Sequence, residues 1–176
     1  KMEVTWHHPS NDSTNWRVRA PEGRWWSMAA IGTHAIDLVR MLAVPFTGDV
    51  EHLDAVLHRT YATERDSGAH IVCTLGNGAQ ATIDVSVTAP TPVRTFTIIG
   101  DRATAHGEWT FGAHGAGRIT IDGTELPFIP ENPYTAQLTD FVSAIRQHRA
   151  PEVNGADGLW NVDLLLRAES CSRAAT

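Results

Sequence analysis

The sequence predicts an α+β fold, a mostly antiparallel open β-sheet with helices packed on one face. Three observations carry this. Residues 50–121 form a succession of short alternating runs, and Gly76-Asn77-Gly78 and Asp122-Gly123 mark hairpin turns there. Helical stretches flank that block, one before it at 28–43 and two after it from 133 onward. The chain of 176 residues with 42% hydrophobic content fits a single domain, 1–176, with its own core, and it shows no repeat or low-complexity segment.

Met2 to Trp6 alternates as a half-buried strand does, and His7 to Asn15 is a polar loop rich in Ser, Asn and Asp. Adjacent His7 and His8 point apart in extended chain, and no Cys or further His lies at ligand spacing, so a metal site is not expected. Asn15, Arg17 and Arg24 are suited to donate to hydroxyl or carboxylate oxygens of a ligand, or are solvent-exposed loop residues. Ser27 stands where an N-cap belongs, and from Met28 to Ala43 apolar residues cover most of a helix. Its polar stripe is narrow: Ala30, His34, Asp37 and Met41 share one face, with Thr33 and Arg40 beside it. His34 and Asp37, three apart, are placed to hydrogen-bond, which fixes the imidazole tautomer and suits an acid or base. The alternative is a core histidine satisfied by Asp37 or by backbone. Gly32 inside the helix costs about 1 kcal/mol relative to alanine and implies close approach of another backbone or a ligand.

Val44-Pro45 ends the helix, Thr47-Gly48-Asp49 turns the chain, and Val50 to Tyr61 reads as a long strand. His70 to Leu75 and Ala79 to Thr88 flank the first hairpin turn, the second alternating cleanly between an apolar and a polar face. Arg94 to Ile99, Ala103 to Trp109 and Arg118 to Ile121 follow as strands. Gly112, Gly115 and Gly117 lie between two of them rather than between a strand and a helix, so they do not form a dinucleotide fingerprint. Asn132 caps and Pro133 starts a helix expected to pack on the sheet through Leu138, Phe141, Val142 and Ile145. Asp157 to Arg173 is a second helix, with Leu159, Val162 and Leu166 as its apolar strip and Trp160 and Leu164 widening it.

Twenty acidic against fourteen basic side chains give a net charge of -6, and the basic residues are scattered. That argues against a nucleic-acid or membrane-surface role. No apolar run approaches the roughly 20 residues that span a bilayer, and no signal segment opens the chain, so a cytoplasmic protein is expected. Cys73 and Cys171 make no disulfide framework and read as small core residues. Lys1 is the only lysine. Any catalytic lysine therefore lies outside this chain, which opens inside a strand-like run and reads as a piece of something longer.

Trp16-Arg17, followed at fixed spacing by Gly32-Thr33-His34-Ala35-Ile36-Asp37, resembles the C-terminal domain of the glucose-fructose oxidoreductase, inositol dehydrogenase and MocA family. That family's pattern is Trp-Arg, Asp-Pro, three glycines, then Asp-x-Gly-x-His-x-x-Asp. Asn132-Pro133-Tyr134, Asp140-Phe141, Ala144-Ile145-Arg146, Pro151 and Gly155-Ala156-Asp157-Gly158 resemble its closing helices. Two departures stand out: Ala30 replaces the aspartate four residues before the histidine, and Arg24-Trp25-Trp26 replaces the glycines. The Asp/His pair is halved and the mouth of the site made bulkier, which implies a different substrate or an altered proton relay.

The resemblance implies the substrate-binding and oligomerisation domain of an NAD(P)-dependent oxidoreductase acting on a sugar, cyclitol or related polyol. NAD or NADP and a Glu-Lys-Pro lysine would belong to an N-terminal nucleotide-binding domain absent from this chain, and the fragment alone is not expected to be active. His34 is then the acid/base, with Asp37 orienting it, while Asn15, Arg17, Arg24, Trp26 and Arg94 bind substrate, Trp26 offering an apolar face to a sugar ring. A homodimer or tetramer through the open sheet face is implied as well. The competing readings are a non-catalytic binding or assembly module that keeps the fold without the chemistry, and a metal-dependent hydrolase for which no ligand cluster can be assembled.

Overall fold

The computed structural model describes residues 1–10, 16–19, 25–59, 65–113 and 115–174. The strands are β1 (Met2–His7), β2 (Val50–His58), β3 (Gly68–Leu75), β4 (Gln80–Ser86), β5 (Val93–Ile99), β6 (Thr104–Glu108), β7 (Arg118–Ile121), β8 (Thr124–Glu125) and β9 (Arg173–Ala174). Among the described residues they form one sheet in the order β8-β7-β6-β5-β1-β4-β3-β2-β9. All neighbours are antiparallel except β1 with β4 and β2 with β9. The expected α+β sheet is therefore present, and β1 lies at its centre, where Val4 pairs with Ile83 on one side and Phe96 on the other.

Alternation sets the two faces. Met2, Val4 and Trp6, Ile71, Cys73 and Leu75, and Ala81, Ile83 and Val85 are buried on one face, while Glu3, Thr5, Thr82 and Asp84 lie half-buried on the other. Over the buried face runs a π-helical turn, Met28–Gly32, continuing as α2 (Thr33–Leu42), with α5 (Gly155–Cys171) beside it. Met28, Ile31, Ala35, Ile36 and Val39 close the core from α2 and its leading turn, and Leu164, Leu165 and Ala168 from α5. Each fully buried Ile or Leu contributes about 1.5–3 kcal/mol. The short helix α3 (Val44–Thr47) packs against α2, and α1 (Trp16–Arg19) is a single turn.

Several sequence expectations change. Ser27 is itself helical and makes no side-chain cap. Gly32 has only ordinary contacts around it, with Met28 and the Ser27 carbonyl, so no backbone presses on it from outside the helix. The strand expected to reach Tyr61 is β2, which ends at His58. Cys171 is exposed rather than a core residue.

The largest change concerns α4 (Pro133–Gln147). Asn132 caps it as expected, accepting from the Tyr134 and Thr135 amides. Its apolar strip, however, faces solvent: Leu138 is 63% and Ile145 60% exposed. The core of the sheet's apolar face is covered by α2 and α5, and α4 contributes only Ala144 to the buried set. In α5 the expected strip of Leu159, Val162 and Leu166 is likewise exposed, and the neighbouring stripe of Leu164, Leu165 and Ala168 is the buried one.

Candidate active site

A cleft of about 560 Å³ opens on the helix side of the sheet, beyond the area that α2 covers. Its floor is the apolar face of the central strands. Trp6 of β1 and Arg94 of β5 are cross-strand partners there. One wall is the π-helical turn and the start of α2, which present Ala30, Ile31 and His34; Trp26 lies just before them. His8 and Ser10 follow β1 along the rim, and the first turn of α4 supplies Pro133, Tyr134 and Gln137 opposite. A π-helical turn widens a helix locally and recurs at functional sites; here it carries two cleft-lining residues, Ala30 and Ile31.

One buried carboxylate fixes where that wall starts. Asp66, 2% exposed in the segment before β3, accepts from the backbone amides of Trp26 (2.9 Å) and Met28 (2.7 Å) and from the Ser27 hydroxyl. It caps the helix from a distant part of the chain, the task expected of Ser27. Burial pushes its carboxyl above the ordinary range, opposed by those donors. Local spacing cannot show such a cap, because Asp66 lies some forty residues away along the chain.

The aromatic floor holds the charged groups. Trp6 meets Phe111 edge to face at 5.2 Å, and the His34 ring leans on it at 5.5 Å with a 31° tilt. The Arg94 guanidinium sits 4.4 Å from the Trp6 ring centre and 5.2 Å from that of Trp109, a cation–π arrangement on two indoles. Arg94 Nη1 donates to the Phe111 carbonyl at 3.1 Å. Among the described residues Nε of Arg94 and Nε1 of Trp6 are buried without a partner. Gly112 stands against the guanidinium with φ at 109°, so an alanine methyl there would run into it.

His34 is exposed on the cleft and makes no hydrogen bond to any described residue. The protein packed around its ring lowers its pKa below 6.5; Asp37 opposes that shift and Arg94 adds to it. At neutral pH the imidazole is therefore uncharged, with one N–H and one free lone pair. The expected hydrogen bond from His34 to Asp37 is not made. Asp37 Oδ1 accepts instead from Arg40 Nε at 2.7 Å and from Asn161 Nδ2 at 3.0 Å, and Arg40 continues to Asp157 at 2.6 Å. The polar stripe of α2 is divided: its first turn serves the cleft, and the next docks α5. Asp37 acts on His34 through its field and not as a contact partner.

Of the residues expected to bind substrate, Trp26 and Arg94 line the cleft, Trp26 from a 1% exposed position. Asn15, Arg24 and the side chain of Arg17 lie outside the described residues. Sequence reasoning missed Trp6, His8, Ser10, Tyr134 and Gln137. Alternation already put Trp6 on the apolar face, but its pairing with Arg94 depends on the β1–β5 register, which no local signal gives. His7 and His8 do point apart: His7 meets Asp84 at 3.1 Å on the open sheet face, and His8 lines the cleft. The glycines after β6 do not fit a dinucleotide phosphate, since the space beside Gly112, Gly115 and Gly117 is filled by Arg94, the Glu131 carbonyl and the Glu108–Trp109 backbone.

The sequence profile of the GFO/IDH/MocA C-terminal domain matches residues 1–106. No curated protein matches this sequence. Among solved structures the fold is shared with an aldose-aldose oxidoreductase from Caulobacter crescentus complexed with glycerol (TM-score 0.82, 20% identity, 97% of this chain and 52% of that one). It is shared too with a UDP-N-acetylglucosamine 3-dehydrogenase, GnnA, from Acidithiobacillus ferrooxidans (0.79, 19%, 97% and 52%). The WlbA dehydrogenase from Bordetella pertussis, in complex with NADH and UDP-GlcNAcA, is a third (0.73, 18%, 97% and 51%). This chain thus spans about half the length of the proteins it matches. The profile covers more than half of the residues and includes both the strand bearing Trp6 and the helix bearing His34, and by that match the chain belongs to the GFO/IDH/MocA C-terminal domain family.

Proposed function

We propose that this chain is the substrate-binding half of an NAD(P)-dependent oxidoreductase acting on a sugar, cyclitol or related polyol. The observation that carries this is the open cleft in which an uncharged His34, with no side-chain hydrogen bond to any described residue, faces solvent over Trp6, with Arg94 beside it. The relatives named above include sugar-transforming enzymes and one bound to NADH, which supports the reaction class.

A nicotinamide, held mainly by a separate nucleotide-binding domain, would supply the hydride chemistry when bound. Proton handling and orientation fall to the residues here. His34 accepts the proton of the reacting hydroxyl, or donates one to the carbonyl oxygen in the reverse direction. Trp6 backs the imidazole, and Trp26, only 1% exposed, shapes the wall beside it. Tyr134 and Gln137 supply hydroxyl and amide groups for the remaining substrate oxygens. We propose further that the half-buried polar face of the sheet, with Glu3, Thr5, Thr82 and Asp84, joins protomers into a dimer or tetramer. Light scattering checks that, and a monomer counts against it. No helix among the described residues is long and apolar enough to cross a membrane.

The test is steady-state kinetics of a protein that joins this chain to its nucleotide-binding domain. His34→Gln is expected to lower kcat by about a hundredfold or more while leaving nucleotide affinity intact. Unchanged kcat removes His34 from the chemistry. If no sugar or polyol is turned over at all, the non-catalytic binding module replaces this reading.

A further inference from the structure

We infer that the cleft takes a sugar or polyol bearing an anionic group, a carboxylate or a phosphate, seated on Arg94. This rests on the cleft being the substrate site and adds the chemical class of the substrate.

Arg94 is a fixed cation without a counter-ion among the described residues. Arg40, Arg118, Arg149 and Arg167 each have a carboxylate within ion-pair reach. Arg94 has none among the described residues, and its one hydrogen bond, to the Phe111 carbonyl, leaves the other guanidinium donors uncommitted. The two indoles and Gly112 hold the planar group in place without neutralising it. A guanidinium fixed in this way presents a fork that matches a carboxylate or phosphate, and its rotamer entropy is already spent in the free protein.

The surroundings bring no negative charge to Arg94 among the described residues. The titratable groups lining the cleft are Arg94, His8, His34 and Tyr134, and no Asp or Glu lines it among the described residues. This holds on a chain whose net charge is -6. Ala30, one turn before His34, brings no carboxylate, and Asp37 is turned away into Arg40 and Asn161. A neutral polyol does not need such a site. An anionic one gains a charge-assisted bond to the guanidinium: partial burial lowers the Arg94 pKa with no carboxylate among the described residues to offset it, and a bound anion restores what the cation lost.

The test is calorimetric titration of the chain with three hexoses that differ in charge: D-glucose, D-glucuronate and D-glucose 6-phosphate. Chemical shifts of His34 and Trp6 place the binding in the cleft. At least one anion is expected to bind about tenfold or more tightly than glucose, with the preference shrinking as salt rises. Which anion wins separates a carboxylate from a phosphate ligand. Because Arg94→Ala also removes two ring contacts, the decisive variant is Ala30→Asp, with Ala30→Asn as its neutral match. The aspartate should abolish the anion preference, while the asparagine should keep it. Equal binding of all three hexoses, or a preference that survives Ala30→Asp, overturns the inference and leaves the site reading standing. Cleft resonances unmoved by every hexose overturn both, and identify Arg94 as a structural clamp for the two indoles.

Discussion

Asp66 offers the sharpest check on how the cleft wall is built. Replacing it by alanine strips the acceptor from the Trp26 and Met28 amides and from the Ser27 hydroxyl, all buried. At roughly 1 kcal/mol net per hydrogen bond, the loss is about 3 kcal/mol. Part of this is offset, because the variant no longer buries a charge. Burial raises the Asp66 pKa above 3.8, so in the window between 3.8 and the folded value the folded protein holds the extra proton and stability falls as pH rises. We therefore expect a net loss of about 2 kcal/mol near neutral pH, with Asp66→Asn, which keeps one acceptor, losing about half as much. Urea unfolding followed by tryptophan fluorescence reads this. With a slope of roughly 2 kcal/mol per molar, the midpoint should drop by about 1 M at unchanged slope. A drop under about 0.2 M would show that the three donors are satisfied another way and that Asp66 does not set the start of the helix.

Two further outcomes follow from the cleft. Gly112→Ala should displace the Arg94 guanidinium and strain a backbone held at φ of 109°, costing about 1–3 kcal/mol and weakening ligand binding; a crystal structure with Arg94 unmoved would refute it. His34 should titrate below 6.5 by NMR, and since the unfolded chain then takes the proton first, stability from this group is present above pH 6.5 and declines as pH falls toward the folded pKa. A His34→Gln variant with the same acid limb of stability as the parent would contradict that.

The sheet was legible because alternation is a short-range signal. Ala79 to Thr88 displays its two faces in the sequence, and β4 buries Ala81, Ile83 and Val85 as written. The start of α4 was legible for the same reason, since Asn132 and Pro133 act within one turn. What α4 packs against was not. Leu138, Phe141, Val142 and Ile145 have the right period for a buried stripe, but periodicity says only that a face is apolar and not what covers it. Two such strips, on α4 and α5, remain in solvent in the isolated chain. In the site, the residues on one helix turn were readable and the cross-strand ones were not. His34 was visible from spacing alone, whereas Trp6 and Arg94 meet only through a register between segments some ninety residues apart.

Asp37 separates the two ways of reading that helix. As a direct partner of His34 it would hold one tautomer, and its loss would be expected to cripple proton transfer by orders of magnitude. In the structure its carboxylate joins α2 to α5 through Arg40 and Asn161, and it reaches His34 only by its charge. Asp37→Asn should then do two modest things. The His34 pKa should fall further, because the influence that raised it is gone. Stability should drop by about 1 kcal/mol, as Arg40 keeps Asp157 and an amide oxygen remains to accept from Asn161. A rise in the His34 pKa would contradict the electrostatic account. A loss of turnover as deep as that of His34→Gln, with stability unchanged, would restore Asp37 as the orienting partner and require the α2–α5 bridge to open when substrate binds.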